Sequence, residues 1–224
     1  MGSTISFPRT TGKPAQGYLA EAGQATAPGV VVIQEWWGVQ GQIRSVCDRF
    51  AEEGFHALAP DLYEGKVIPY HDAAAAGAAL RSLDFKAATA EIVRGAAQRL
   101  KSGGGKVGIA GFCMGGTVAI LGAVHVPEID AAVSFYGLAP EDAAAPKDIR
   151  VSLQGHFANL DDHWTPALVD AFEAKLRAAG KSFEIHRYDA RHAFMNSDRK
   201  NVYDEAAAKL AWERCVAFPR RQLA

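Results

Sequence analysis

The sequence predicts an α/β fold in which a mostly parallel central sheet is covered by helices on both faces. Two observations carry that expectation. Several strand-like runs, among them Val30-Val-Val-Ile33, 106–111 and 131–136, are continuously apolar instead of alternating, as strands buried on both faces require. These runs alternate with segments of helical periodicity, the mark of βαβ units. The 224 residues, 49% of them hydrophobic, supply ample material for a core, so 1–224 reads as a single α/β domain with no internal repeat or linker.

The elements follow in order. Strands are expected at 17–20, 30–34, 55–60, 106–111, 131–136, 150–154 and 183–188, and helices near 41–53, 85–101, 115–125, 166–179 and 202–217. The helix 41–53 places Ile43, Val46, Cys47 and Phe50 on one face. The alanine-rich stretch 73–79 is a further helix candidate, and 63–84 is the candidate cap over a pocket. Gly103-Gly-Gly105 ends one helix and admits the next strand; because it precedes that strand, it does not read as a phosphate-binding loop. Thr165 and Pro166 have the form of an N-cap and first helical residue.

Composition excludes several classes. A formal net charge of −1 with no block of either sign gives no footing for nucleic acid or a membrane surface. No apolar stretch approaches membrane-spanning length and the first residues lack the features of a signal peptide, so a cytoplasmic protein is expected. Three cysteines suit a reducing compartment. Cys47, on its apolar helix face, and Cys215, beside Trp212, Val216 and Phe218, read as buried structural thiols. Neither a metal nor a cofactor is expected, and the chain is read as a monomer or weak homodimer.

Cys113 differs from both. Residues 111–116 read Gly-Phe-Cys-Met-Gly-Gly directly after the apolar run 106–110. In the nucleophile-elbow pattern G-x-S-x-G, the central residue sits on a sharp strand-to-helix turn that lifts its side chain above the sheet. Here a cysteine holds the usual serine position, with Gly111 and Gly115 where side chains would collide across the bend.

A thiol nucleophile needs a base, a group that orients the base, and donors for an oxyanion. In α/β-hydrolases the order along the chain is nucleophile, acid, histidine, each at a strand's carboxyl end. After Cys113, the expected strand 151–155 is followed by a loop holding Asp161 and Asp162, and the strand 183–188 is followed by His192. Of seven histidines, His56 and His186 fall within strand patterns, His71 and His125 in loop or helix-end positions, and His156 and His163 flank the acid loop as pocket-lining candidates. His192 alone lies between the last strand and the closing helix, which makes it the base. Counting from the strand end favours Asp161 as the acid, while counting back from Thr165-Pro166 favours Asp162. The strand is the more rigid reference, so Asp161 is preferred and Asp162 stays as the alternative.

Glu35 ends the apolar strand 29–34 and opens Glu-Trp-Trp-Gly. A charge there is costly without a partner, so it is either a paired structural carboxylate or a group that controls the thiol's proton. The same loop is expected to supply one oxyanion N–H, from Trp36, with Met114 supplying the other.

Five motifs in order, Q-E-W-W-G, P-D-L-Y at 60–63, G-F-C-M-G-G, S-F-Y-G at 134–137 and R-H-A-F, resemble the dienelactone hydrolase family. The resemblance covers about residues 30–219. It implies the α/β-hydrolase fold, a Cys-His-Asp triad and no cofactor. It also implies that Glu35 meets Cys113 in the resting enzyme and holds the thiol from the histidine until substrate displaces it. Family members hold a substrate carboxylate with an arginine just after P-D-L-Y and with a serine and an arginine just beyond the histidine; those places hold Glu64, Ala193 and Asn196 here. Arg191 is the possible substitute. Trp36, Trp37, Tyr63, Phe112, Trp164 and Phe194 suggest an aromatic pocket, although core positions would explain most of them equally well. The sequence thus points to acyl-enzyme hydrolysis of a small carboxylic ester or lactone. The rival readings are a redox-sensing or ligand-binding protein on a hydrolase scaffold and a cysteine peptidase.

Overall fold

The computed structural model describes residues 1–224. One eight-stranded sheet has the order β1-β2-β4-β3-β5-β6-β7-β8. Its strands are β1 (Ser3–Pro8), β2 (Pro14–Ala20), β3 (Gly29–Ile33), β4 (His56–Pro60), β5 (Val107–Phe112), β6 (Ala131–Phe135), β7 (Ser152–Leu160) and β8 (Phe183–Arg191). β1 and β2 pair antiparallel, β2 pairs antiparallel with β4, and every pair from β4 to β8 is parallel.

The helices are α1 (Gly41–Glu52), α2 (Ala73–Ser82), α3 (Phe85–Ala87), α4 (Arg94–Lys101), α5 (Met114–His125), α6 (Pro166–Ala178) and α7 (Glu205–Gln222). A π-helical turn, Ala88–Val93, joins α3 to α4 where the sequence suggests one uninterrupted helix. No helix is long and apolar enough to cross a membrane.

The continuous apolar runs are explained by burial on both sides. Val31 and Ile33 of β3 point into the core beneath α4, α5 and α6, while Val30 and Val32 point into the core beneath α1 and α7. After β3 the chain moves toward β4 through α1, but after β5 it moves the other way. Right-handed crossovers therefore put α1 on one face and α5 and α6 on the other. This reversal leaves a crevice above the carboxyl ends of β3 and β5, the place where open α/β sheets gather ligands.

Two differences from the sequence reading have physical causes. β1 is an edge strand that buries only Phe7, so it carries almost no apolar signal, and its pairing with β2 creates it. β7 continues to Leu160, past the expected end at 154, because the polar His156 is fully satisfied inside it. Its Nδ1 meets the Tyr188 hydroxyl at 2.8 Å, its Nε2 meets Gln154 Oε1 at 2.8 Å, and its ring stacks on Phe135. Burial holds His156 well below the usual imidazole range. It is a core histidine, and its expected place in a pocket-lining loop is corrected.

Candidate active site

The chain turns from β5 into α5 at Cys113, whose φ of 57° lies in the left-handed region. The two flanking glycines are required by space. A Cβ on Gly111 would lie 1.8 Å from the Gly115 carbonyl oxygen, and one on Gly115 would lie 2.5 Å from the Ile33 oxygen. The thiol thus stands at the N-terminal end of α5, a buried helix whose dipole favours negative charge there. Tyr136 (φ 39°) and Ala193 (φ 64°) are also left-handed, and they follow β6 and β8 beside the same crevice. Non-glycine residues in such conformations cost energy and gather at functional sites.

His192 follows β8 immediately. Its Nδ1 lies 2.7 Å from Asp161 Oδ2, and its side chain is 21% exposed against 1% for Asp161. The other Asp161 oxygen accepts the backbone N–H groups of His163, at 2.8 Å, and Trp164, at 3.0 Å. Burial opposes ionisation of Asp161, but the His192 hydrogen bond and charge and the two N–H donors outweigh it and hold the carboxyl below its usual range. Burial likewise opposes charge on His192, yet the hydrogen bond to Asp161 and the neighbouring Cys113 and Asp161 prevail and raise the imidazole to about 10. Asp162 is exposed and makes no such contact; it lies at the rim of the same cavity.

Glu35, 2% exposed, is engaged from two sides. The Tyr136 hydroxyl donates to Oε1 at 3.2 Å, and Asn196 Nδ2 donates to Oε2 at 2.7 Å. Burial pushes this carboxyl up, against the opposing pull of the Asn196 bond and the charges of His192 and Arg199. No hydrogen bond joins Glu35 to Cys113 here. The carboxylate is held by Tyr136 and Asn196.

A cavity of about 960 Å³ opens over the thiol. Cys113, His192, Asp161, Trp36, Met114, Trp164 and Arg191 line it. The backbone N–H groups of Trp36 and Met114 donate to no other protein group. Four expected pocket residues lie elsewhere. Trp37 is buried against Trp36 and Tyr70, and Phe194 packs between Tyr136 and Tyr188. Tyr63 sits behind Met114, donating to its Sδ at 3.2 Å, and lines a separate cavity of about 330 Å³. Phe112 is core as well, stacked on Phe135. Nor do the three carboxylate-clamp positions offer an alternative: Glu64 pairs with Arg9, Ala193 is buried, and Asn196 is spent on Glu35.

Sequence reasoning missed Arg199, which lines the cavity with its guanidinium 5.4 Å from the Trp37 ring centroid. It also missed Leu80, Phe85 and Leu138. Tyr136 carried a signal, as the tyrosine of S-F-Y-G at a strand's carboxyl end; Asn196 carried none. No group of three or more histidine, cysteine, aspartate or glutamate side chains is arranged to hold a metal ion.

Comparison with known proteins agrees with this architecture. The dienelactone hydrolase family is matched over residues 15–223. The chain is 34% identical to Protein usf of Aquifex pyrophilus over 232 aligned positions that span all of both chains. It is 33% identical to a protein of Aquifex aeolicus named "Putative carboxymethylenebutenolidase", with 97% of each chain covered. Among solved structures, a Klebsiella pneumoniae protein described as a "Putative Dienelactone Hydrolase" superposes with a TM-score of 0.84 at 29% identity, covering 97% of this chain and 98% of that one.

Proposed function

The chain belongs to the dienelactone hydrolase family, and from that premise we propose that it is a cysteine-dependent hydrolase of small carboxylic esters or lactones acting through an acyl-enzyme. The observation that carries the reading is that Cys113, His192 and Asp161 all line one cavity, with His192 Nδ1 2.7 Å from Asp161 Oδ2.

In the first half-reaction Sγ bonds to the substrate carbonyl carbon while the thiol's proton rests on His192 Nε2. The carbonyl oxygen becomes an oxyanion held by the Trp36 and Met114 N–H groups. Collapse breaks the ester C–O bond, and His192 returns the proton to the departing alkoxide. In the second, water loses a proton to His192 as its oxygen attacks the thioester carbon. The second tetrahedral adduct expels the thiolate, which recovers its proton from His192. Asp161 holds the Nδ1–H tautomer throughout and stabilises the imidazolium. The cavity takes an ester without another macromolecule, and the reaction needs no cofactor.

The test is Cys113→Ala, assayed on small activated esters beside a circular dichroism spectrum that reports folding. Loss of turnover in a folded protein is expected. Undiminished turnover refutes the reading.

A further inference from the structure

The cavity is far larger than a small lactone needs. At about 960 Å³ it is at the upper end of pockets that enclose whole drug-sized ligands. Its walls carry apolar side chains from several elements. Leu80 from α2 and Phe85 from the start of α3 face the crevice together with Leu138, Pro140, Trp36 and Trp164. Leu160, 61% exposed, extends the apolar surface to the mouth and is one of the few large apolar side chains left open to solvent. The two cations on the wall are differently placed: Arg191 is exposed at the rim, and Arg199 rests over the Trp37 ring within reach of the Glu35 charge.

Resting on the hydrolase reading above, we infer that the acyl part of the substrate is an uncharged aryl group seated against Leu80 and Phe85. The acyl portion is the part concerned because it stays bonded to Cys113 through both half-reactions, so the space next to the thiol is the space it occupies. Aromatic walls offer edge-to-face and stacked contacts to such a ring beyond the area they bury. A substrate carboxylate has no anchor at the three places where family members hold one, since those side chains are engaged or apolar here. Phe85 and Leu80 are specificity-determining residues on this view, and α2 and α3 form the wall that selects the acyl group.

The experiment uses trifluoroethyl esters, whose leaving group is constant and not aromatic, followed by proton release. The acyl groups are acetate, phenylacetate and 4-carboxyphenylacetate. Wild-type kcat/KM is expected to be at least about tenfold higher for phenylacetate than for acetate, and lower again for the carboxylate-bearing ester. Phe85→Ala should lower the phenylacetate-to-acetate ratio about tenfold, mainly through KM. It should fold, because Phe85 is only half-buried and the Asp84 cap on Ala87 N is untouched. Phe85→Trp, which narrows the space, should lower the same ratio. A preference for the carboxylate-bearing ester, or ratios unchanged in both variants, overturns the inference while leaving the hydrolase reading intact. No turnover of any ester by the wild-type protein overturns both.

Discussion

Replacing Asp161 by asparagine distinguishes the two adjacent aspartates and tests the catalytic geometry directly. Asp161 is almost fully buried, with Oδ2 at 2.7 Å from His192 Nδ1 and Oδ1 accepting two backbone N–H groups. An asparagine of the same shape can keep its oxygen on the backbone donors, but its NH2 group then faces Nδ1. That forces Nδ1 to accept and leaves the proton on Nε2, aimed at the thiol it should deprotonate. The loss in kcat from this wrong tautomer should be on the order of 10⁴. The loss of a buried charge-assisted hydrogen bond should cost roughly 1.5–3 kcal/mol of stability.

The stability cost has a pH window whose sign follows from the shifts. His192, raised from 6.5 to about 10, contributes stability that is complete below 6.5 and is lost as pH rises to about 10. Asp161, held below its ordinary 3.8, contributes stability that is complete above 3.8 and is lost as the carboxyl is protonated at lower pH. The difference in urea unfolding free energy between wild type and Asp161→Asn should therefore be greatest between about pH 4 and 6.5 and shrink on both sides. Asp162→Asn, at an exposed site without a partner, should change kcat by less than about twofold. A comparable loss in kcat from Asp162→Asn, or a loss below tenfold from Asp161→Asn, refutes the assignment.

Other consequences are open to simpler measurements. Gly111→Ala places a Cβ 1.8 Å from the Gly115 oxygen, so it should destabilise by at least about 3 kcal/mol or fail to give soluble protein, as thermal unfolding and expression would report. Glu35→Gln sets an amide against two donors, the Tyr136 hydroxyl and Asn196 Nδ2, and one of them must go unmatched; a loss of roughly 1–3 kcal/mol at neutral pH is expected in urea unfolding. Tyr136→Phe removes a single donor from the same carboxylate and should cost less than Glu35→Gln in that assay, on the order of 1 kcal/mol.

Much of this protein was legible in contiguous residues. Apolar continuity identifies strands covered on both faces, and the helical segments between them lead to parallel pairing. The glycines at 111 and 115 mark a bend too tight for side chains, which singles out Cys113, and chain order places an acid and a histidine after it. These features are encoded within a few residues because sterics and periodicity act locally. Asp161 was favoured over Asp162 by counting from a strand end expected at 154, whereas β7 runs on to Leu160; what separates the two aspartates in space is the hydrogen bond of Asp161 to His192. The tertiary structure decided what depends on partners far apart in the chain. Glu35 meets Asn196 across 161 residues of sequence, so nothing near either one announces that its charge is held by Tyr136 and Asn196. The aromatic residues were equally ambiguous, since a tryptophan or phenylalanine suits a core as well as a cavity wall. Trp37, Tyr63 and Phe194 went to buried packing, and Phe85 and Leu80 reached the crevice, because sheet twist and helix placement set which face of each element meets the thiol.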